Sequence, residues 1–459
     1  TMMEMRVVAK EFIKPSSPTP RHLRFYELCL LDQMIPPVYS PIILFFRANP
    51  RASHFKTLFS LKTSLSESLS RFYPFAGRVK DFHTIECNDD GACFVDAKIN
   101  STLSDFLGHR EPAKMNKLLP REFDRYMSGP GSNVLIVQVT NFSCGGFSVG
   151  FLIAHMIVDG TAISCFLRDW AATSRKEKDE IAFPIFNAAS IFPRVVPFPS
   201  ESSLMFFWGR FFKKAKASST RFVFDAASIN ALKLYARISS SESPTRVEVV
   251  SAILCKSIMA VFRKHKLRKP TVVTQAVNMR RRANPQLPAG LIGNFPWLAV
   301  KLFDNENDTE IAVLAGQLRE ATSAINADFV NSLQGVNGVR NLDAAVKEMK
   351  SLGLESATGV DYIGLTSVCN MGGYEYDNMN FSWGKPIWAT YCTDLPRHGG
   401  PLINTVFLSD TRVGKGIEAL VILEQDEIAA LEKDKELLSY ASLDPCLLVS
   451  ELSCLGMMH

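Results

Sequence analysis

The segment FSVGFLIAH, residues 147–155, constrains the fold of this chain more than any other stretch. Both of its alternating faces are apolar or small, so it reads as a strand buried on two sides, which needs cover from other elements above and below. Helix-like and strand-like runs mix in both halves of the chain, which makes the class α/β with mixed sheet and helix. A second buried strand, NVLIVQVTNF (133–142), precedes it, and CGG (144–146) separates the two. His155 sits at the C-terminal end of the strand, the usual position of functional groups in α/β sheets. Asp159 and Gly160 then open a helix, TAISCFLRDWAATSR, with Asp159 at the N-cap. The four-residue spacing of His155 and Asp159 is therefore a strand end, a turn and a cap, not two side chains on one helical face. A neutral imidazole is suited to accept a proton near neutral pH. The carboxylate is suited to cap the helix or to pair with a cation. The plainer alternative for a lone histidine beside an apolar strand is a satisfied core residue.

A competing motif overlaps this region. GFSVG (146–150) fits G-x-S-x-G, the nucleophile elbow of serine hydrolases, but that elbow needs a sharp strand-to-helix turn at the serine. Ser148 falls within the strand, and the turn comes only after His155.

A chain of 459 residues exceeds one compact core, and two domains of roughly 200 residues are expected. The proline-rich stretch AFPIFNAASIFPRVVPFPSESSL breaks all periodicity, so the division reads 1–180, a crossover at 181–220, and 221–459. Within the first part, 55–73 has helical spacing, and TIECN (84–88) with ACFVDAKI (92–99) reads as a hairpin around NDDG. The second part resumes with strand TRFVFD and helix AASINALKLYARI, then helix RVEVVSAILCKSIMAVFRKH and strand PTVVTQAVNM. It closes with PLINTVFLSD, GIEALVILEQ and one amphipathic helix, DEIAALEKDKELLSYA. The crossover contains MFFWGRFFKK (205–214), which reads either as a segment docked on the body or as one touching a membrane.

The net charge of +5 is scattered, and the one basic cluster, FFKKAK, is too short for a nucleic-acid footprint. Ten cysteines without a CxxC pair or zinc-like spacing read as reduced, buried hydrophobes, with no metal site. The opening TMMEMRVVAKEFIK is charged where a signal peptide is apolar, and no run approaches the ~18 apolar residues of a membrane span. The expectation is a cytoplasmic monomer that touches neither membrane nor nucleic acid.

Several segments together spell a family. HMIVDG (155–160) matches the HxxxDG motif of the plant BAHD acyltransferases, and NFSWG (380–384) resembles their DFGWG signature. IKPSSPTPRHLRFYELCLLDQM (13–34), YPFAGRV (73–79), VNMRRRANPQLP (277–288), IGN (292–294) and LTSVC (365–369) follow the family pattern in order. The chain looks most similar to the vinorine synthase-like branch of O-acetyltransferases.

The resemblance implies two similar-sized domains like those of chloramphenicol acetyltransferase, with a channel between them. It implies acyl-CoA as co-substrate, no permanently bound cofactor, and a small hydrophobic alcohol as acceptor. His155 would be the general base of a direct attack on the thioester, and the Trp383 indole N–H a candidate oxyanion donor. Asp159 would pair with Arg280, and Asn380 and Gly384 would shape the loop around Trp383. CoA contacts carried over by position are Thr245, Arg246, Val247 and Glu248; Asn278, Met279, Arg281, Arg282, Ala283 and Asn284; and Ser367, Val368, Cys369 and Asn370. The first group opens a helix, where free N–H groups favour phosphates, and the second supplies arginines. The chain departs from the family at Asn380, Ser382 and Val368, which replace aspartate, glycine and tryptophan. N-acylation of an amine, and a non-catalytic relative that only binds CoA or a metabolite, are the alternatives.

Overall fold

All eight residues of the strand Phe147–Ala154 are buried. It lies inside a six-stranded sheet in the order Met5–Ile13, Ala92–Ile99, Leu135–Phe142, Phe147–Ala154, Tyr39–Phe46, Trp388–Thr390. The computed structural model describes residues 3–49, 53–108, 112–120, 127–180, 183–237, 243–265, 269–304, 310–351, 359–370, 379–391, 402–412, 414–445 and 447. The neighbours of the buried strand are antiparallel on both sides. Gly150 is required where it stands, because a Cβ there would lie 2.2 Å from the carbonyl oxygen of Leu118. The helices His54–Arg71 and Gly160–Arg175 pack against each other and close the core of this sheet. Between them the Trp170 indole donates to Ser64 Oγ at 3.0 Å, and Arg71 holds the fully buried Asp169 through two bonds of 2.8 and 2.9 Å.

A second sheet of seven strands runs Pro296–Phe303, Thr271–Asn278, Asp361–Ser367, Thr405–Asp410, Ile417–Glu424, Ala217–Phe224, Ser442–Leu443. Thr271–Asn278, Asp361–Ser367 and Thr405–Asp410 are mutually parallel. One face, with Val273, Leu365, Val406, Leu408 and Val421, joins the core formed with the helices Arg246–His265 and Ile311–Ser323. On the other face Ala276, Asn278, Gly364, Thr366, Thr405 and Phe407 stay only half-buried, although they lie in the middle of the sheet.

Three expectations from the sequence are corrected. Thr84–Glu86 and Ala92–Ile99 do not form a hairpin. The first pairs with Phe25–Glu27 and Arg78–Asp81 in a small third sheet, the second with Met5–Ile13. Asp89 and Gly91, with φ of 56° and 100°, turn the chain out of one sheet and into the other. The final helix is two, Gln425–Leu431 and Lys435–Tyr440, because Asp434 caps the second by accepting from the Leu437 N–H at 3.0 Å. Finally, Trp388–Thr390 lies within 221–459 by sequence but is the edge strand of the first sheet, paired with Tyr39–Phe46. The crossover is docked on the body: Leu204 and Phe207 are buried, and Phe211 stacks on Tyr362 at 4.2 Å. Among the described residues no helix is long and apolar enough to cross a membrane.

Candidate active site

His155 begins a single 3-10 turn, His155–Ile157, directly after the buried strand, and its backbone N–H donates to Val38 O at 2.8 Å. Its side chain is half-buried. Nδ1 lies 3.2 Å from Asn294 Oδ1. The amide Nδ2 of Asn294 donates to His155 O at 2.8 Å and to Asp32 Oδ1 at 3.0 Å. With both acceptors on one side, the amide oxygen must face the ring, so Nδ1 carries the proton and donates it to Asn294. Nε2 is then left with its lone pair, the form that a base requires. Burial pulls the imidazole below its ordinary value, against smaller upward pulls that include Asp159 and Asn294.

Asp32 is fully buried and accepts from the backbone N–H groups of Asn294 (2.7 Å) and Cys29 (3.0 Å). Burial nonetheless holds its carboxyl up to about 6. Asp32 and Asn294 both fall within segments that carry the family resemblance, DQM and IGN, yet nothing in the sequence alone marked them as partners of His155. Their separation of 262 positions hides the contact.

Asp159 faces the other way. It caps the helix Gly160–Arg175 by accepting from the Ala162 N–H at 2.9 Å, and it takes the Phe295 N–H at 3.1 Å. Arg280 Nη2 donates to both of its oxygens, at 2.9 and 3.0 Å. Arg280 is 3% exposed, so this is a buried ion pair. The Leu291 and Gly293 carbonyls and the Phe295 ring complete the surroundings of the guanidinium. Beside it, Asn278 Nδ2 donates to Thr161 Oγ1 at 3.1 Å. These contacts join the two halves next to His155.

The positions carried over as CoA contacts fall into groups at the carboxyl ends of the parallel strands. Thr245 and Glu248 cap each other at the start of Arg246–His265, and Val247 packs on the core beneath them. Arg246 holds Asp410 and Asn370 at 2.8 and 2.9 Å, which brings the helix start to the end of Asp361–Ser367. Ser367 Oγ accepts from the Cys369 N–H, and Val368 is buried. Arg281 and Asn284 are exposed, while Met279 and Ala283 are buried. Arg282 is half-buried. Its guanidinium donates to the Thr322 and Ile325 carbonyls at the end of Ile311–Ser323, a helix with no basic residue in its own last turn.

Trp383 is corrected. Its ring stacks on Phe381 at 4.7 Å and meets Phe46 edge-on at 6.3 Å. Phe46 pairs with Phe147, whereas His155 follows Ala154, which pairs with Tyr39. Eight residues of extended strand separate the two ends, about 25 Å, so the indole cannot donate to an oxyanion formed at His155. Its N–H has no partner among the described residues. The loop around it is fixed from the far end of Gly160–Arg175: Ser382 N–H donates to Ser174 Oγ at 2.9 Å, and Arg175 donates to the Asn380 carbonyl. Gly384, with φ of 118°, closes the tight turn back to Phe381. Ser148 is fully buried as the second residue of a strand that stays extended to Ala154, which removes the hydrolase elbow.

The chain matches the Transferase family over residues 3–438. It is 40% identical to epi-neemfruitin B 7-O-acetyltransferase of Melia azedarach, covering 96% of this chain and 99% of that protein. It is 37% identical to limonoid 7-O-acetyltransferase of Citrus sinensis, over 97% and 99% of the two chains. The crystal structure of vinorine synthase superposes with a TM-score of 0.76 at 33% identity, covering 96% of this chain and 99% of that one.

Proposed function

Since this chain belongs to the Transferase family, the BAHD acyltransferases, we propose that it moves a short acyl group from acyl-CoA to a hydroxyl of a polycyclic plant metabolite. The observation that carries the reading is the hydrogen bonding at His155: Nδ1 lies 3.2 Å from Asn294 Oδ1 while Asn294 Nδ2 is committed to Asp32 and the His155 carbonyl, an arrangement that puts the proton on Nδ1 and leaves Nε2 as the base. The acceptor hydroxyl gives its proton to Nε2 as its oxygen attacks the thioester carbonyl. The tetrahedral intermediate collapses, the C–S bond breaks, and CoA leaves as a thiolate that recovers the proton from the imidazolium. No covalent acyl-enzyme is needed.

Acetyl is the proposed donor group and a limonoid-like or alkaloid alcohol the proposed acceptor. The support is the named activity of relatives that are 40% and 37% identical over nearly full length. Thr245, Arg246 and Ser367–Asn370 are proposed as the side from which CoA enters. They cluster where three parallel strands end and the helix Arg246–His265 begins, an arrangement that suits anions. Incubation with acetyl-CoA, a thiol reagent and a panel of triterpenoid and indole-alkaloid alcohols tests the reading. Free CoA released only in the presence of an alcohol, with the ester detected by mass, is the expected result. Release without an acceptor, or ester formation by a His155→Ala protein, overturns it.

A further inference from the structure

Asp32 and Asn294 come from opposite halves of the chain, yet the bonds that reach His155 need them within 3.0 Å of each other. Neither residue lies in a strand, so no sheet register fixes their separation. The crossover does, because it bonds to both segments. On the side of Asp32, the Leu30 N–H donates to Phe192 O at 3.0 Å. Gln33, beside Asp32, accepts the Val195 N–H on Oε1 at 3.0 Å and donates from Nε2 to Val195 O at 2.8 Å. These two bonds allow one orientation of the amide, and Nε2 then also meets His83 Nδ1 at 2.8 Å. Gln33 is buried, so the turn that carries Asp32 is fastened to the crossover away from water.

On the side of Asn294, the Ile185 N–H donates to Gly290 O at 2.8 Å, and the Ile292 N–H to Ile185 O at 2.9 Å. The second of these bonds is two residues before Asn294. Phe192 meets the ring of Phe295, the residue after Asn294, at 5.6 Å. Ala188 and Phe192 share one apolar core with Leu30, Met34, Leu291 and Phe295. Phe186, next to Ile185, packs instead on the first half, against Tyr26 and Tyr73 at 5.4 and 5.0 Å. Residues 185–195 therefore grip the turn of Asp32 and the loop of Asn294 at once.

We infer that the crossover positions the His155 base, and that Gln33 is the positioning residue through which it acts. By fastening the turn of Asp32 to the segment that also holds the loop of Asn294, Gln33 keeps the Asn294 amide in the one orientation that leaves Nε2 of His155 free of its proton. The inference rests on the acyltransferase reading above.

The test is a double-mutant cycle in the full chain. Gln33→Met keeps the length of the side chain and removes both bonds to Val195, which is half-buried, so that water can take over at its backbone. In the wild-type background it should lower kcat on one accepted alcohol by about fivefold or more, within the roughly 10²-fold that a 1 Å misplacement can cost. The alcohol KM, and acetyl-CoA affinity by calorimetry, should stay within about twofold, the pattern of an interaction that matters only in the transition state. In the Asn294→Ala background the same substitution should change kcat by less than about twofold, because the residue through which it acts is gone. Nitrogen NMR of the imidazoles, with the His155 signals assigned by their loss in His155→Ala, should show the Nδ1–H form in wild type and a mixture with Nε2–H in Gln33→Met. Losses that add in the two backgrounds, or an unchanged kcat and tautomer in Gln33→Met, overturn the positioning role, whatever happens to thermal stability. A wild type that binds acetyl-CoA and shows the tautomer change on Gln33→Met, but transfers no acyl group, overturns the acyltransferase reading alone.

Discussion

Replacing Asp159 by alanine separates a scaffold carboxylate from a catalytic one. In the folded chain Asp159 receives four bonds: two from Arg280, one from the Ala162 N–H and one from the Phe295 N–H. Loss of the helix cap costs about 1 kcal/mol. The Phe295 N–H, left buried without an acceptor, costs about 1–3 kcal/mol more. The largest effect is at Arg280, whose charge would remain buried without its counter-ion, at about 3–5 kcal/mol. Two backbone carbonyls and the Phe295 ring still face that guanidinium, so the low end applies, and neighbouring effects are not additive. A total of about 5 kcal/mol is a large share of the 5–15 kcal/mol that holds a typical protein folded. Urea denaturation of wild type, Asp159→Ala, Asp159→Asn and the double variant Asp159→Ala/Arg280→Met measures it. Asp159→Asn, which keeps the cap, should lose less than the alanine variant. The double variant should recover part of the loss by removing the stranded charge. An Asp159→Ala protein of normal stability and normal CoA affinity but without activity would refute the scaffold role.

His155→Ala should lower kcat by at least ~10²-fold, the usual scale for a lost general base, with CoA affinity preserved in calorimetry; activity within a few-fold of wild type removes His155 from the mechanism. Because burial pulls the His155 imidazole below 6.5 and the base must be neutral, the acid limb of the kcat/KM profile should fall below pH 6.5, and a limb above it contradicts the burial argument. Asn294→Ala should cut kcat by about tenfold or more, toward the range for a mispositioned base. It should leave acceptor KM nearly unchanged, and an unaltered pH profile and kcat would show that the ring needs no orienting partner. Asn380→Asp should change kcat by less than about tenfold, well under the loss expected for a proton-transfer group. The nearby cation is Arg175, which already holds Glu177 at 2.9 and 2.6 Å. A gain of 10²-fold at unchanged stability would make the charge part of the chemistry.

The central strand, its histidine and the capped helix after it were legible because each rests on local signals: a doubly apolar run, a turn, and an Asp-Gly at a helix start. The Asp159–Arg280 pair was legible only through the family resemblance, since 121 positions separate the partners. Trp383 was misplaced for the same reason that it drew notice. An aromatic in a glycine-containing motif looks functional in one dimension, and only the pairing of Phe46 with Phe147 reveals which end of the strand it occupies. Within the three consecutive arginines, only the structure shows that Arg282 also closes a helix end, a contact 40 positions away in sequence. The edge strand Trp388–Thr390 could not be assigned from sequence, because three residues carry no periodicity and their partners lie more than 300 positions away.

Two carboxylates flank one imidazole, and their surroundings give them different work, as in sites where environment separates chemically identical groups. Asp159 is the nearer to His155 in sequence and raises its proton affinity, but Arg280 neutralises that charge at 2.9 Å, so its pull is outweighed by burial. Asp32 has no cation among its bonded partners, and burial raises its own carboxyl to about 6. It reaches His155 only through Asn294, a group that orients without transferring charge. An aspartate bonded directly to Nδ1 would favour the imidazolium and raise the pKa of the base. An amide in that position fixes the same tautomer while leaving the ring neutral. In the proposed reaction, where the acceptor alcohol loses its proton as the thioester is attacked, a neutral, oriented imidazole is the useful state, and the interposed asparagine is what would keep it so.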